Sequence, residues 1–337
     1  MLFLISSADT IELADGTSHE TGFFAEEALI PYDRLTEAGV EVAVATPDGR
    51  PPHADSYGLE PIFHYPDDDE DFLLSIIRTF MHDVDDIRVT LRHLTELDLI
   101  AARRVFQALV AAGVDPETAR SSIETAARTS WSTNTNFIDV LQKDPVVTDA
   151  VPTDDLAAAA AAVWDDAVAA SRNMVDRLAS IEGFQHPINL STMSDEDVLG
   201  FDGIFIPGGH GPMVDMARNP DVGRALRLLN QRDRTIAALC HGPAALLAAG
   251  ERQDGQWIFD GYKLTSFSDE EEDQTRVGKL GMPWFLETSL KNAGAVFDDA
   301  PGPWLSHVVV DRNLVTAQNP MSADAAAEAI LKRLEVL

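Results

Sequence analysis

Cysteine is almost absent: Cys240 stands alone in 337 residues. No internal disulfide can form, so burial and hydrogen bonding must hold the fold, which suits a reducing compartment and makes the cytosol the expected location. Basic residues are also scarce. With 25 Lys and Arg against 56 Asp and Glu, the formal charge of −31 builds a field that repels phosphate backbones and anionic lipid surfaces. Neither nucleic acid nor a membrane is therefore an expected partner. Long apolar runs are missing too. Nothing approaches the ~20 residues a bilayer span needs, and the alanine tract at 157–162 is short and flanked by Asp155 and Asp165. The opening Met-Leu-Phe-Leu-Ile-Ser-Ser lacks a basic leader segment and is too short for a signal-peptide core, so it reads as a first strand. Aromatic residues make up 7% of a chain that is 45% hydrophobic, the balance of an ordinary α/β protein rich in Ala, Val and Leu.

What is present follows an α/β rhythm interrupted once. An apolar strand at 2–6 leads through a polar loop to helical periodicity over 25–38, ended by Gly39. A β-branched strand at 41–45 closes in the turn Thr46-Pro47-Asp48-Gly49. Strand, helix and strand within about fifty residues form a βαβ unit and predict a parallel sheet. From 60 to 182 strand signals vanish, and apolar spacing predicts helices over 72–81, 87–112, 116–129 and 156–181. The expected organisation is thus a catalytic α/β domain from 1–59 and 183–337 and a helical insertion, 60–182, serving as a lid or an oligomer contact. The acidic run at 67–71 reads as solvated charge at a helix start rather than a metal cluster. After the insertion come strands at 203–207 and 235–239, a helix at 243–249 and hairpins at 257–265 and 308–315. Helices at 284–293 and 322–334 complete the pattern, the last capped by Ser322.

The chemistry concentrates in Ala237-Ala238-Leu239-Cys240-His241-Gly242-Pro243-Ala244, where a buried strand runs into a cysteine and then directly into an expected helix. Such a turn is a nucleophile elbow. It places the thiol at the carboxyl end of a strand and near a helix N-terminus, whose partial positive charge should favour the thiolate. A lone cysteine is often only a small buried hydrophobe. The adjacent His241 and the Gly-Pro helix start favour a nucleophile instead.

Together, Leu239-Cys240-His241-Gly242-Pro243 and Ile206-Pro207-Gly208-Gly209-His210-Gly211 resemble the PfpI-type branch of the class I glutamine amidotransferase-like superfamily. Within it the resemblance is to the heat-shock chaperone and glutathione-independent glyoxalase group, over 1–59 and about 183–337 but not the helical segment. It implies a flavodoxin-like, doubly wound, mostly parallel sheet. It also implies that Gly208, Gly209, His210 and Gly211 form the oxyanion and substrate-binding loop, with the Gly209 and His241 amides as donors. The carboxylate beside the thiol lies, in the family pattern, four residues before a proline, which selects Glu27 over Glu26 ahead of Pro31. The acid that orients the histidine lies five residues after a phenylalanine, which from Phe267 selects Glu272, with Asp269, Glu271 and Asp273 as neighbours able to substitute.

Trp304 and Asn319 fall in two further matching segments and read as structural. Some relatives bind zinc through a His/Glu/His set. Here no pair has compact ligand spacing, and His82 and His93 lie eleven apart on expected helices, so no metal and no cofactor is expected. The resemblance implies conversion of a small 2-oxoaldehyde to a 2-hydroxy acid by a homo-oligomer, expected to be a dimer, with removal of glycation adducts as a related activity. A holdase chaperone and an amidase or peptidase using the same residues are the alternatives. Glutamine amidotransfer is disfavoured because no downstream His-x-Glu pair follows the cysteine.

Overall fold

The protein is described here from a computed structural model, which covers residues 1–61, 87–250 and 256–336. The expected helix at 72–81, the acidic run at 67–71 and His82 lie outside the described residues. The chain divides into two compact units. One comprises Met1–Leu59, Met174–Asp273 and Val277–Leu337, and the other Glu60–Asn173 with Gln274–Arg276.

The first unit is built on a seven-stranded sheet. Its strands are β1 (Leu2–Leu4), β4 (Ala43–Thr46), β5 (Ile188–Asn189), β6 (Gly203–Ile206), β7 (Thr235–Leu239), β10 (Val308–Asp311) and β11 (Leu314–Ala317), in the order β10-β11-β7-β6-β1-β4-β5. Every pairing is parallel except that of β10 with β11. Because successive side chains on a strand point to opposite faces, the apolar strands feed two cores at once. Leu2, Leu4, Ile204, Ile206, Ile236 and Ala238 enter one cluster, and Phe3, Phe205, Ala237 and Leu239 enter the other. Helix α1 (Ala25–Glu37) and the C-terminal helix α2 (Ala323–Arg333) bury their apolar stripes in the second cluster, through Ala28, Leu35, Ala326 and Ile330. The sheet is thus doubly wound. Strand β1 pairs with β4 on one side and β6 on the other, which makes it the point where the chain switches direction across the sheet. The carboxyl ends of strands beside such a point are where α/β sheets place their sites.

Several local expectations differ from the structure. The loop after β1 contains a short hairpin, β2 (Thr10–Glu12) with β3 (Ser18–Glu20). No hairpin forms around Asp260-Gly261; instead β8 (Lys263–Leu264) pairs in parallel with β9 (Val296–Phe297). The helix expected at 243–249 is a run of 3₁₀ turns, Gly242–Ala249. Ser322 precedes α2 without capping it, because its hydroxyl donates to Asn319 Oδ1 at 3.1 Å and accepts from the His307 amide at 3.0 Å.

The second unit is helical among its described residues. Helices Ala102–Ala111 and Phe137–Leu141 pack on Pro116–Thr133, and Leu94, Leu109, Ile123, Phe137 and Leu156 are buried. Asp115 caps the third helix by accepting from the Thr118 amide at 3.0 Å, with proline in the first turn and Asn134 left-handed at its end. His93 meets Trp131 edge to face, the ring centroids 5.0 Å apart.

Candidate active site

Three strand ends of the first unit converge on Cys240. Strand β7 ends at Leu239, and Cys240 takes a left-handed backbone conformation with φ 60°, a strained geometry for a side chain with a Cβ. Hydrogen bonds on both sides hold it there: the Cys240 amide donates to Ala317 O on β11, and its carbonyl accepts from the Phe267 amide, each at 2.9 Å. The next turn must then pass against β6. A Cβ on Gly242 would stand 2.1 Å from the Ile206 carbonyl oxygen, so only glycine fits.

The carboxylate comes from α1. Glu27 is fully buried while Glu26 is only partly so. Pro31, four residues on, has no N–H to give the Glu27 carbonyl, so the spacing that singles out Glu27 also interrupts the helix ladder at that residue. Glu27 Oε2 accepts from the Gly208 amide at 2.8 Å, and the carboxyl lies beside the Cys240 side chain. Its other oxygen, Oε1, is buried with no partner. Gly208 is wedged in this contact: a Cβ there would meet His241 N at 2.6 Å, and Cys240 Cβ and Glu27 Oε2 at 2.7 Å each.

His241 faces the thiol from the other side, with Nδ1 3.3 Å from Sγ. Its Nε2 lies 2.7 Å from Glu272 Oε2, and His210 Nε2 lies 2.9 Å from Glu272 Oε1. The neighbouring Glu271 aims Glu272. Buried beside it, Glu271 accepts from the Ser268 amide at 2.9 Å, the Trp304 amide at 2.7 Å and Asn319 Nδ2 at 2.8 Å, which anchors the short helix Asp269–Asp273. Trp304 and Asn319 therefore reach the site through Glu271, and Trp304 also packs its ring on Phe267.

Not every loop amide is available to a reacting oxygen. The Gly208 N–H is taken by Glu27, the Gly211 N–H donates to Gly22 O at 3.1 Å, and the His210 ring is turned to Glu272. The Gly209 amide lies beside the Cys240 sulfur and favours its ionised form.

Burial sets the protonation states. It pushes the Glu27 carboxyl up to about 8, against opposing hydrogen bonds from Cys240 and Gly208. The thiol is pushed well above its ordinary value by burial and then by the Glu27 carboxylate. A thiol already ionised by a helix N-terminus is therefore not what the fold provides, because the residues after it form 3₁₀ turns and the titratable group beside it is an acid, not a cation. His241 is lowered to about 4 by burial and by the charge of His210. Burial alone would raise Glu272, but the two histidines outweigh it and hold the carboxyl well below the usual range. An ionised Glu272 only accepts, so His241 Nε2 carries the proton and Nδ1 presents its lone pair to the thiol. Among the described residues, His210, His241 and Glu272 are the three potential metal donors that converge, within 4.8 Å of one another. They are hydrogen-bonded to each other, so a cation there would have to displace both bonds.

The sequence model of the DJ-1/PfpI family matches residues 92–333, well over half of the chain. This chain belongs to the DJ-1/PfpI family. The matched stretch takes in the glycine loop, Cys240 and Glu272, and leaves Glu27 outside. Among curated DJ-1/PfpI relatives, glyoxalase 3 of Candida albicans is 30% identical over 150 residues, 44% of this chain and 64% of that protein. Protein/nucleic acid deglycase 1 of Escherichia coli K12 is 35% identical over 127 residues, 36% of this chain and 42% of that one. The chain thus spans less than two thirds of the length of the curated relatives it matches. Among solved structures, glyoxalase III of Candida albicans superposes with a TM-score of 0.55 at 18% identity, covering 98% of this chain and 96% of that one. The Rapid Encystment Protein of Francisella tularensis gives 0.57 at 19% identity, covering 99% and 97%. These two structures share the DJ-1/PfpI fold. No helix among the described residues is long and apolar enough to cross a membrane.

Proposed function

We propose that the protein is a cysteine-dependent, glutathione-independent glyoxalase that converts a small 2-oxoaldehyde, such as methylglyoxal, and water into the 2-hydroxy acid. One observation carries the reading. A single sulfur lies 3.3 Å from a neutral imidazole lone pair, with a proton-bearing carboxyl and a backbone amide beside it, all in one buried site. Hydrolysis of an ester or amide needs the nucleophile, the base and the amide. A carboxyl that keeps its proton near neutral pH serves a reaction in which a proton must also travel between two carbons of the substrate.

In this mechanism the thiol gives its proton to His241 Nδ1 as sulfur bonds to the aldehyde carbon. The new oxyanion receives the Gly209 N–H and, as in the family pattern, the His241 N–H. Glu27 gives its proton to that oxyanion and, now a carboxylate, takes the proton from the same carbon and returns it at the neighbouring carbonyl carbon while the His241 imidazolium protonates the oxygen there. The first hydroxyl then hands its proton back to Glu27, and the hemithioacetal has become a 2-hydroxy thioester. Water then cleaves the thioester, restoring the thiol and releasing the acid. The substrate is oxidised at one carbon and reduced at the next, so no external oxidant is required. Glu272 supports the imidazolium while it exists.

Burial also bears on substrate size. Cys240 is 4% exposed and Glu27 0%, which favours a small dicarbonyl over a protein-borne adduct; the deglycase activity in one relative's name remains the second reading. The deciding assay follows D-lactate formation from methylglyoxal without glutathione. Turnover that disappears in Cys240→Ala is expected. Hydrolysis of amides or peptides with no turnover of any 2-oxoaldehyde would reassign the protein to the hydrolases, and suppression of aggregation unaffected by Cys240→Ala would mark a separate chaperone activity.

A further inference from the structure

A glycine loop acts through its backbone amides and needs no side chain at its third position, yet His210 brings a buried imidazole into the reacting cluster. Glu272 Oε1 is 2.9 Å from His210 Nε2, while Oε2 is 2.7 Å from His241 Nε2. The two imidazole rings lie 4.2 Å apart, centroid to centroid, at 44°, and Phe267 covers the other side of His241 at 4.5 Å. A carboxylate held at one oxygen can turn about its terminal bond. Held at both, it turns only by breaking a second charge-assisted hydrogen bond.

We propose that His210 is a positioning residue: it locks Glu272 Oε2 onto His241 Nε2 and, as the second ring against His241, keeps Nδ1 turned to the Cys240 sulfur. The proposal rests on reading Cys240 and His241 as the reacting pair. Three titratable groups face His210. Glu272 is bonded to it, His241 stacks on it, and the carboxyl of Asp55, raised by burial, acts on it through its charge. Burial opposes a charge on His210, but Glu272 and then Asp55 outweigh it and raise the imidazole above its ordinary value. That charge adds to the burial that keeps His241 neutral.

Two variants divide the contact. His210→Gln keeps an N–H for Glu272 without a ring or charge, and His210→Phe keeps a ring without a donor. NMR of ¹³C-labelled histidine in the full chain, with His241→Gln for assignment, follows the His241 titration directly. In both variants His241 is expected to titrate above the value of about 4 that burial and His210 impose. With methylglyoxal, kcat should fall roughly tenfold to a hundredfold in His210→Phe with KM within about twofold, and His210→Gln should recover most of the loss. An unchanged His241 titration in His210→Gln, or wild-type kcat in both variants, overturns the proposal. The NMR measurement needs no turnover. If the wild type converts no 2-oxoaldehyde, the functional reading fails while the His241 titration still decides the role of His210.

Discussion

Glu27 and His241 both sit neutral in the folded protein, one by keeping a proton and the other by refusing one. Turnover requires both states, so kcat/KM should hold between about 4, where His241 takes up its proton, and about 8, where Glu27 loses its own. A profile lacking the alkaline decline would remove Glu27 from the reaction. The same shift has a stability consequence. The folded value of Glu27 is raised above its unfolded one, so its contribution is fully present below the unfolded value of 4.5 and is lost as pH rises through about 8. Glu27→Gln cannot ionise. It should melt several °C above wild type at about pH 8 and close to it at about pH 4, while turnover falls by about 10²–10⁴. Equal melting curves at the higher pH would show that the carboxyl is not held neutral.

At the scale of elements, the elbow is a strained turn fixed from both sides, with β11 and the segment before Asp269–Asp273 bonded to the Cys240 backbone. Space, not only conformation, limits what can follow it. Gly242→Ala would press a methyl onto the Ile206 carbonyl, so denaturant melts should show a loss of about 3 kcal/mol, near the upper end for overpacking. Gly208→Ala tests a different quantity. Its methyl would separate Glu27 from Cys240, so turnover should fall by more than about a hundredfold even if the fold survives. A Gly208→Ala protein with wild-type turnover would mean that the Glu27 contact is dispensable. On the far side of the loop, Asp215 ties the chain after β1 by accepting from Ser6 Oγ and the Ser7 amide, each at 2.8 Å, and from the Ala8 amide at 3.2 Å. This fixes β1 beside the glycine loop.

For the whole molecule the dominant quantity is the charge of −31. Self-repulsion of that size opposes compactness and is screened as the Debye length shrinks from about 30 Å at 0.01 M salt to about 3 Å at 1 M. The melting temperature should therefore rise steadily over that range, and a flat response would show that local ion pairs such as Arg34–Asp324 and Arg234–Asp202 already offset the excess. The βαβ rhythm and the break into helices were readable because each rests on periodicity within a dozen residues. The β2–β3 hairpin escaped because three-residue strands such as Thr10-Ile11-Glu12 carry too little alternation to register.

The strand-cysteine-turn pattern of the elbow was legible in residues adjacent in the chain, whereas the choice of Glu27 over Glu26 and the role of the glycine loop came from the family resemblance. Sequence alone also settled that no disulfide supports the fold. Protonation was another matter. The thiol's resistance to ionisation, the neutral His241 and the engagement of His210 all come from groups up to 213 positions apart, brought together at the ends of β1, β6 and β7 and shut away from water. Burial and through-space charge are properties of that assembled neighbourhood, so only the tertiary structure could decide them.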